Sequence, residues 1–249
     1  MLKSLRIFAI AAFAGLAPFT SADAQHRRDP AVPTAAYGFI SLGGALIDDA
    51  ELSLSETRFG FAGPQTDDVS FSSGFVFGAG LGVYIPRTPL SIEGESLFIQ
   101  GSDIKGVEFL DAVLPEDGPL SAETGRLDAP TVLGFANLVV EQSVLGGVHA
   151  WAGVGAGFGS TEYRLSQSGL VALALEEAES YAFAYQLKAG VDVDLVRRDN
   201  GAGTSVGVGY RRIAIPNNKI NVSIGGIGEG RYTYAYEANI FDLRVKTTF

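Results

Sequence analysis

The sequence predicts an all-β fold: a closed eight-stranded antiparallel β-barrel that spans a membrane, with short turns at one end and long loops at the other. Three observations predict it. From residue 35 onward polarity alternates with period two, the mark of strands whose two faces meet unlike surroundings. The links between the alternating segments are long and short by turns. The last segment keeps its alternation up to the terminal Phe249.

Taken in order, residues 1–24 read as a secretory signal peptide that stands outside the fold. Lys3 and Arg6 give a positive start, residues 7–17 an apolar stretch, and Ala22-Asp23-Ala24 a small-x-small cleavage site before Gln25. The apolar stretch is shorter than the ~20 residues a transmembrane helix needs. Residues 25–34 follow as a flexible N-terminal tail, and residues 35–249 as the barrel. The chain has no cysteine, so disulfides and thiolate metal sites are excluded.

Strands are predicted near residues 35–47, 70–85, 90–101, 130–143, 148–158, 181–196, 203–214 and 231–249. In the second, Phe71, Phe75, Phe77, Ala79, Leu81, Val83 and Ile85 share one face, against Ser70, Ser72, Gly74, Gly78, Gly80 and Gly82. In the sixth, Tyr181, Phe183, Tyr185, Leu187, Ala189, Val191, Val193 and Leu195 oppose Ala182, Ala184, Gln186, Lys188, Gly190, Asp192 and Asp194. In the last, Phe241, Leu243 and Val245 alternate with Asp242, Arg244 and Lys246, while Tyr232, Tyr234 and Tyr236 are expected in an aromatic girdle at its other end.

Alternation alone fits both a soluble sandwich and a lipid-facing wall. The links decide. Residues 48–69, 102–129, 159–180 and 215–230 are long; Pro86-Arg87-Thr88-Pro89, Val144-Leu145-Gly146-Gly147 and residues 197–202 are short. Membrane barrels have short periplasmic turns and longer external loops. Closure follows because an unpaired backbone group in hydrocarbon costs several kcal/mol and an open sheet has two unpaired edges. Glycines on the inner face suit a crowded lumen.

The net charge of −10 becomes −11 once Lys3, Arg6 and Asp23 leave with the signal peptide. Nucleic acid is therefore excluded as a partner, since its phosphates repel an acidic surface, and so is a polybasic membrane anchor.

With its signal peptide, eight strands and final Phe249, the chain resembles the OmpA-type outer-membrane β-barrel family, including its porin-family and surface-antigen members. The resemblance rests on Trp151-Ala-Gly-Val-Gly-Ala-Gly-Phe-Gly159, Ala184-Tyr-Gln-Leu-Lys-Ala-Gly-Val-Asp192, Gly207-Val-Gly-Tyr-Arg211 and residues 241–249. It implies location in the bacterial outer membrane, contact with membrane lipid and lipopolysaccharide, and recognition of Phe249 by the barrel-assembly machinery. Unlike full-length OmpA, the chain ends with the barrel, so no peptidoglycan-binding domain is carried over. Members share no single activity, so the resemblance implies fold and place rather than function.

Nine ionisable residues are expected on the lumen face: Glu93, Glu95, Glu141, Lys188, Asp192, Arg211, Asp242, Arg244 and Lys246. A structural ion-pair plug is the expectation, because eight strands enclose a lumen that side chains fill; a charge-lined pore is the alternative. His149 is expected near the periplasmic rim, as an interface residue beside Trp151, which leaves no histidine at the outer rim for a triad or dyad. Asp48-Asp49 and Asp67-Asp68 lack the calcium-loop pattern and are read as solvated loop charge. Residues 170–180 fit a short loop helix. No catalytic residue, cofactor site or metal site is expected. The predicted function is a structural or surface-interaction role through acidic external loops, with a host or envelope protein as the possible partner. A low-conductance channel and an outer-leaflet lipid-modifying enzyme are the alternatives.

Overall fold

The structure is a computed structural model that describes residues 36–58, 66–100, 103–107, 125–128, 130–166, 178–198, 202–224 and 228–249. The predicted signal peptide and tail lie outside the described residues. Twelve strands form: β1 (Ala36–Ile47), β2 (Ala50–Arg58), β3 (Thr66–Phe71), β4 (Gly74–Tyr84), β5 (Leu90–Gln100), β6 (Asp103–Val107), β7 (Gly125–Asp128), β8 (Thr131–Leu145), β9 (Val148–Ser166), β10 (Ala178–Arg197), β11 (Gly203–Ile224) and β12 (Gly228–Thr248).

Eight of them close a ring in the order β1-β4-β5-β8-β9-β10-β11-β12, with β12 pairing back onto β1. Every pairing is antiparallel. Starting at Tyr37, cross-strand partners run through Gly82, Glu93, Asn137, Gly155, Gln186, Ile213 and Ala238 and return to β1 at Ile47. One circuit therefore advances the register from residue 37 to residue 47, a shear of ten residues. A closed barrel of this kind tilts its strands by about 35–45°.

The short ends are turns. Gly146-Gly147 joins β8 to β9, and Gly147 takes a left-handed φ of 77° that a side chain would strain. Between Pro86 and Pro89, Thr88 accepts the Leu90 amide at 3.2 Å through Oγ1.

The other end corrects the sequence reading. Most described residues in the predicted long loops are strand, not loop. β2 and β3 lie in the first, β6 and β7 in the second, and β9 to β12 run on through the third and fourth. β2, β3, β6 and β7 pair with one another and bridge β12 to β9, so a second circuit of eight strands stands on the first as a collar. The junction of the two lies where β1 gives way to β2, β3 to β4, β5 to β6 and β7 to β8. β9 to β12, of 19 to 22 residues, pass through it unbroken, twice the ~9–11 residues that cross a membrane. Of the helix expected at residues 170–180, residues 178–180 open β10 and the rest lies outside the described residues.

Alternation sorts the faces. Ile40, Leu42, Phe75, Phe77, Leu81, Leu138, Phe158, Phe183, Leu187, Val208, Phe241 and Leu243 are exposed on the outside of the lower ring. They form an apolar belt of the kind a membrane barrel turns toward lipid. No helix of the described residues is long and apolar enough to cross a membrane; strands make the crossing. Inside, small residues make room for large ones: a methyl group at Gly82 would run into the Tyr37 ring.

Candidate functional site

The lumen is the one region where side chains from all eight ring strands converge, and it is filled in two layers. The lower layer is ionic. All nine residues predicted to face the lumen do so; eight are buried and Glu141 is half-buried. Glu93 is bound by Lys188 Nζ, by Arg244 Nη2 at 2.9 Å and by the Tyr37 hydroxyl at 2.7 Å. Glu95 accepts from Arg211 Nη1 at 2.6 Å, Lys188 at 3.1 Å, and Asn137 and Gln186 at 3.0 Å each. Arg211 Nε donates to Asp242 at 2.8 Å. Lys246 joins Glu141 at 2.8 Å to Asp192 at 3.2 Å, and Trp151 Nε1 donates to Asp192 at 3.0 Å. The Arg244 guanidinium lies over the Phe39 ring, 4.0 Å from its centre.

Five carboxylates thus meet four cations. Sequence reasoning found the charged members and put Gln186 on their face, but missed Tyr37, Asn137 and Trp151, which with Gln186 are the neutral groups that complete the carboxylates' hydrogen bonds. Their face was readable: Gln186 has the parity of Lys188, and Asn137 that of Glu141. Every group in such a network must be satisfied, because a buried charge without its partner is worth several kcal/mol of instability. Five polar atoms here have neither a hydrogen-bond nor an ion-pair partner: Ser41 Oγ, Gln186 Oε1, Ser205 Oγ, Asp242 Oδ1 and Arg244 Nε.

At the periplasmic mouth His149 points inward, Nε2 lying 3.2 Å from Asp194 and Nδ1 3.9 Å from Glu141. This corrects the reading of His149 as a membrane-interface residue: it shares the inward parity of Trp151, which is itself buried in the lumen.

The upper layer is apolar and continues into the collar. Ile47, Val76, Leu97, Ile99, Leu133, Ile213, Ile215 and Ala184 are buried together with Tyr232, Tyr234 and Tyr236. The three tyrosines therefore form no girdle; they face the lumen. Tyr234 accepts from Asn218 Nδ2 at 2.9 Å, whereas the buried Tyr236 hydroxyl has no partner. Phe71 also departs from the sequence reading. The break at residues 72–73 separates it from β4 and turns it inward, 5.9 Å from both the Tyr234 and the Tyr236 rings.

The acidic pairs sit at the junction and in the collar. Asp49 Oδ1 accepts the Phe71 amide at 3.4 Å, and Asp48 Oδ1 accepts from Asn239 at 3.1 Å. Asp67 and Asp68 lie in β3, opposite Leu52 and Glu51. Among the described residues, no three His, Asp or Glu side chains are placed to hold a metal ion.

The sequence matches no protein-family profile and no curated protein. Solved structures do resemble the fold. The outer membrane protein OprG from Pseudomonas aeruginosa is 14 % identical, with 87 % of this chain and 97 % of that chain covered and a TM-score of 0.56. The outer membrane protein AlkL, 14 % identical, covers 90 % of this chain and 95 % of its own, with a TM-score of 0.49. Neisserial surface protein A, 12 % identical, covers 85 % and 97 %, with a TM-score of 0.45. The molecule has the fold of the small outer-membrane β-barrels, and its belt is that of a transmembrane protein.

Proposed function

We propose that this chain is an OmpA-type barrel of the bacterial outer membrane. Its lumen is closed, and its role is structural or surface-interacting, exercised through acidic external loops, with a host or envelope protein as partner. The observation that carries this reading is the ionic layer: nine charged side chains tie the strands to one another across the lumen, where a pore would need water. Asp49 and Glu51 are exposed at the collar, while Glu56 is paired with Arg231 at 2.8 Å.

The mature protein begins at Gln25 in this reading, which mass measurement of the membrane-extracted chain checks. The chain acts without catalytic residue, cofactor or metal. A second reading, a low-conductance channel, draws on the five unpaired polar atoms of the ionic layer, which are places for water. Planar-bilayer recording of the purified barrel separates the two. A flat trace is expected; steady unitary steps, abolished by blocking the lumen, would replace the first reading with the second.

A further inference from the structure

The wall of the collar has a seam. β10 and β11 pair from Arg197 and Gly203 up to Tyr185 and Ala214, and there the ladder stops. Beyond it, among the described residues, positions 178–184 of β10 pair with β9 and positions 215–224 of β11 pair with β12, but not with each other. Pro216 accounts for the stop. It has no amide hydrogen to give to a ladder, and it sits where the β11 register shifts, between Ile215 and Asn218. A side chain stands in for the missing backbone bonds: Ser180 Oγ accepts the Lys219 amide at 3.2 Å.

The seam starts directly above Gln186, a member of the ionic layer, and so gives onto the apolar layer. On the β10 side Ala182 and Ala184 offer it only methyl groups, both buried. From β11 the Ile215 side chain reaches beneath β10. Its Cδ1 lies 3.4 Å from where a Cβ on Gly159 would stand, and Gly159 is the partner of Ala182 on β9. Ile215 thus covers the seam from within. Outside, Phe158 and Phe183, edge to face at 5.9 Å, carry the apolar belt up to its lower end.

Beside Ile215 stands an unused polar group. Tyr236, its cross-strand neighbour on β12, is 1 % exposed, and its hydroxyl has no partner. A hydroxyl taken out of water and left unbonded costs stability, so its presence in an apolar layer calls for an acceptor or donor from elsewhere. The buried cations Lys188, Arg211, Arg244 and Lys246 all belong to the layer below. An anionic ligand would be buried here without a counter-ion.

We propose that the seam is a binding site for a small neutral molecule that is apolar except for one hydroxyl or carbonyl group. That group bonds to the Tyr236 hydroxyl, and the apolar part lies between β10 and β11 in place of the displaced Ile215 side chain. The ionic layer stops the molecule from going deeper. The site goes beyond the structural role proposed above, since it asks nothing of the ionic layer except that it stay shut.

Benzyl alcohol is the probe, and toluene, which lacks the hydroxyl, is the control. The full chain is placed in lipid nanodiscs with its tyrosines isotopically labelled at Cζ, and Tyr236→Phe identifies the Tyr236 resonance. Benzyl alcohol should shift that resonance saturably, at a concentration roughly fivefold lower than toluene, as one added hydrogen bond implies. Tyr210, exposed on the outer wall, reports partition into lipid and should drift without saturating. Ile215→Ala removes the cover and should lower the half-saturating concentration. Ala182→Leu fills the seam and should raise it roughly tenfold, with Ala182→Val standing in where the leucine does not fold. Heat-dependent gel mobility shows which variants are folded. A Tyr236 resonance that only drifts as Tyr210 does, or that toluene moves equally well, overturns the proposal. An unchanged half-saturation in a folded position-182 variant overturns it too, because the molecule would then lie outside the seam.

Discussion

The two layers of the lumen solve the same problem by different physics. Below, Glu93 and Glu95 are each held by three or more directed bonds from different strands. Above, Ile99, Leu133 and Ile213 fill the space by shape alone. The ionic layer fixes which strand lies opposite which, because each charge has a defined partner; it contributes little net stability, because the desolvation of its members offsets their attraction. The apolar layer contributes burial without direction. The difference teaches where each layer is fragile: the lower fails when one partner is lost, the upper when volume is lost.

Four substitutions sharpen that contrast, each read as the shift in urea unfolding of the barrel in lipid vesicles. Trp151, the single tryptophan, lies in the ionic layer and reports by fluorescence. Glu95→Leu leaves Arg211 and Lys188 short of their acceptor and should cost about 3–5 kcal/mol; a shift under about 1 kcal/mol would mean that water already shares the layer. Ile99→Ala opens a void in the upper layer at a cost of about 2–4 kcal/mol, with the Trp151 emission of the folded state unchanged; a red-shifted emission would show the two layers to be coupled. Phe77→Arg on the belt should cost roughly 2 kcal/mol, and a neutral result would put that surface in water. Tyr236→Phe removes a buried hydroxyl without a partner and should be neutral or stabilising by about 0.5 kcal/mol. A loss larger than that would reveal a bond to that hydroxyl.

The lower ring was legible in the sequence, and the collar was not. Alternation from Tyr181 to Leu195 separates lipid-facing from lumen-facing residues without error, because a long strand between two unlike media keeps one phase. The collar strands are short: β7 has four residues and β6 five. β2, Ala-Glu-Leu-Ser-Leu-Ser-Glu-Thr-Arg, alternates apolar and polar residues but stands in an acid-rich stretch that reads as loop. Phase is also lost at each break, so Phe71 keeps the parity of Phe75 yet faces the other way. For Tyr232, Tyr234 and Tyr236 the signal was present: they share even numbering with Asp242, Arg244 and Lys246, and parity outranks the expectation that tyrosines gather at an interface. The ionic site was legible as a list of charges, while its wiring was not, since partners such as Glu93 and Arg244 lie 151 positions apart and meet only through the shear.

The cross-lumen bonds bear on biogenesis. Glu93 sits in the first half of the chain and Glu141 just past its middle, and their cations Arg244 and Lys246 arrive within its last six residues. A nascent cylinder assembled hairpin by hairpin would carry uncompensated carboxylates until the carboxyl terminus docks against β1. Insertion is thereby biased toward an all-or-none event, and a chain truncated by a few residues is left with an electrostatic debt rather than merely a missing stave.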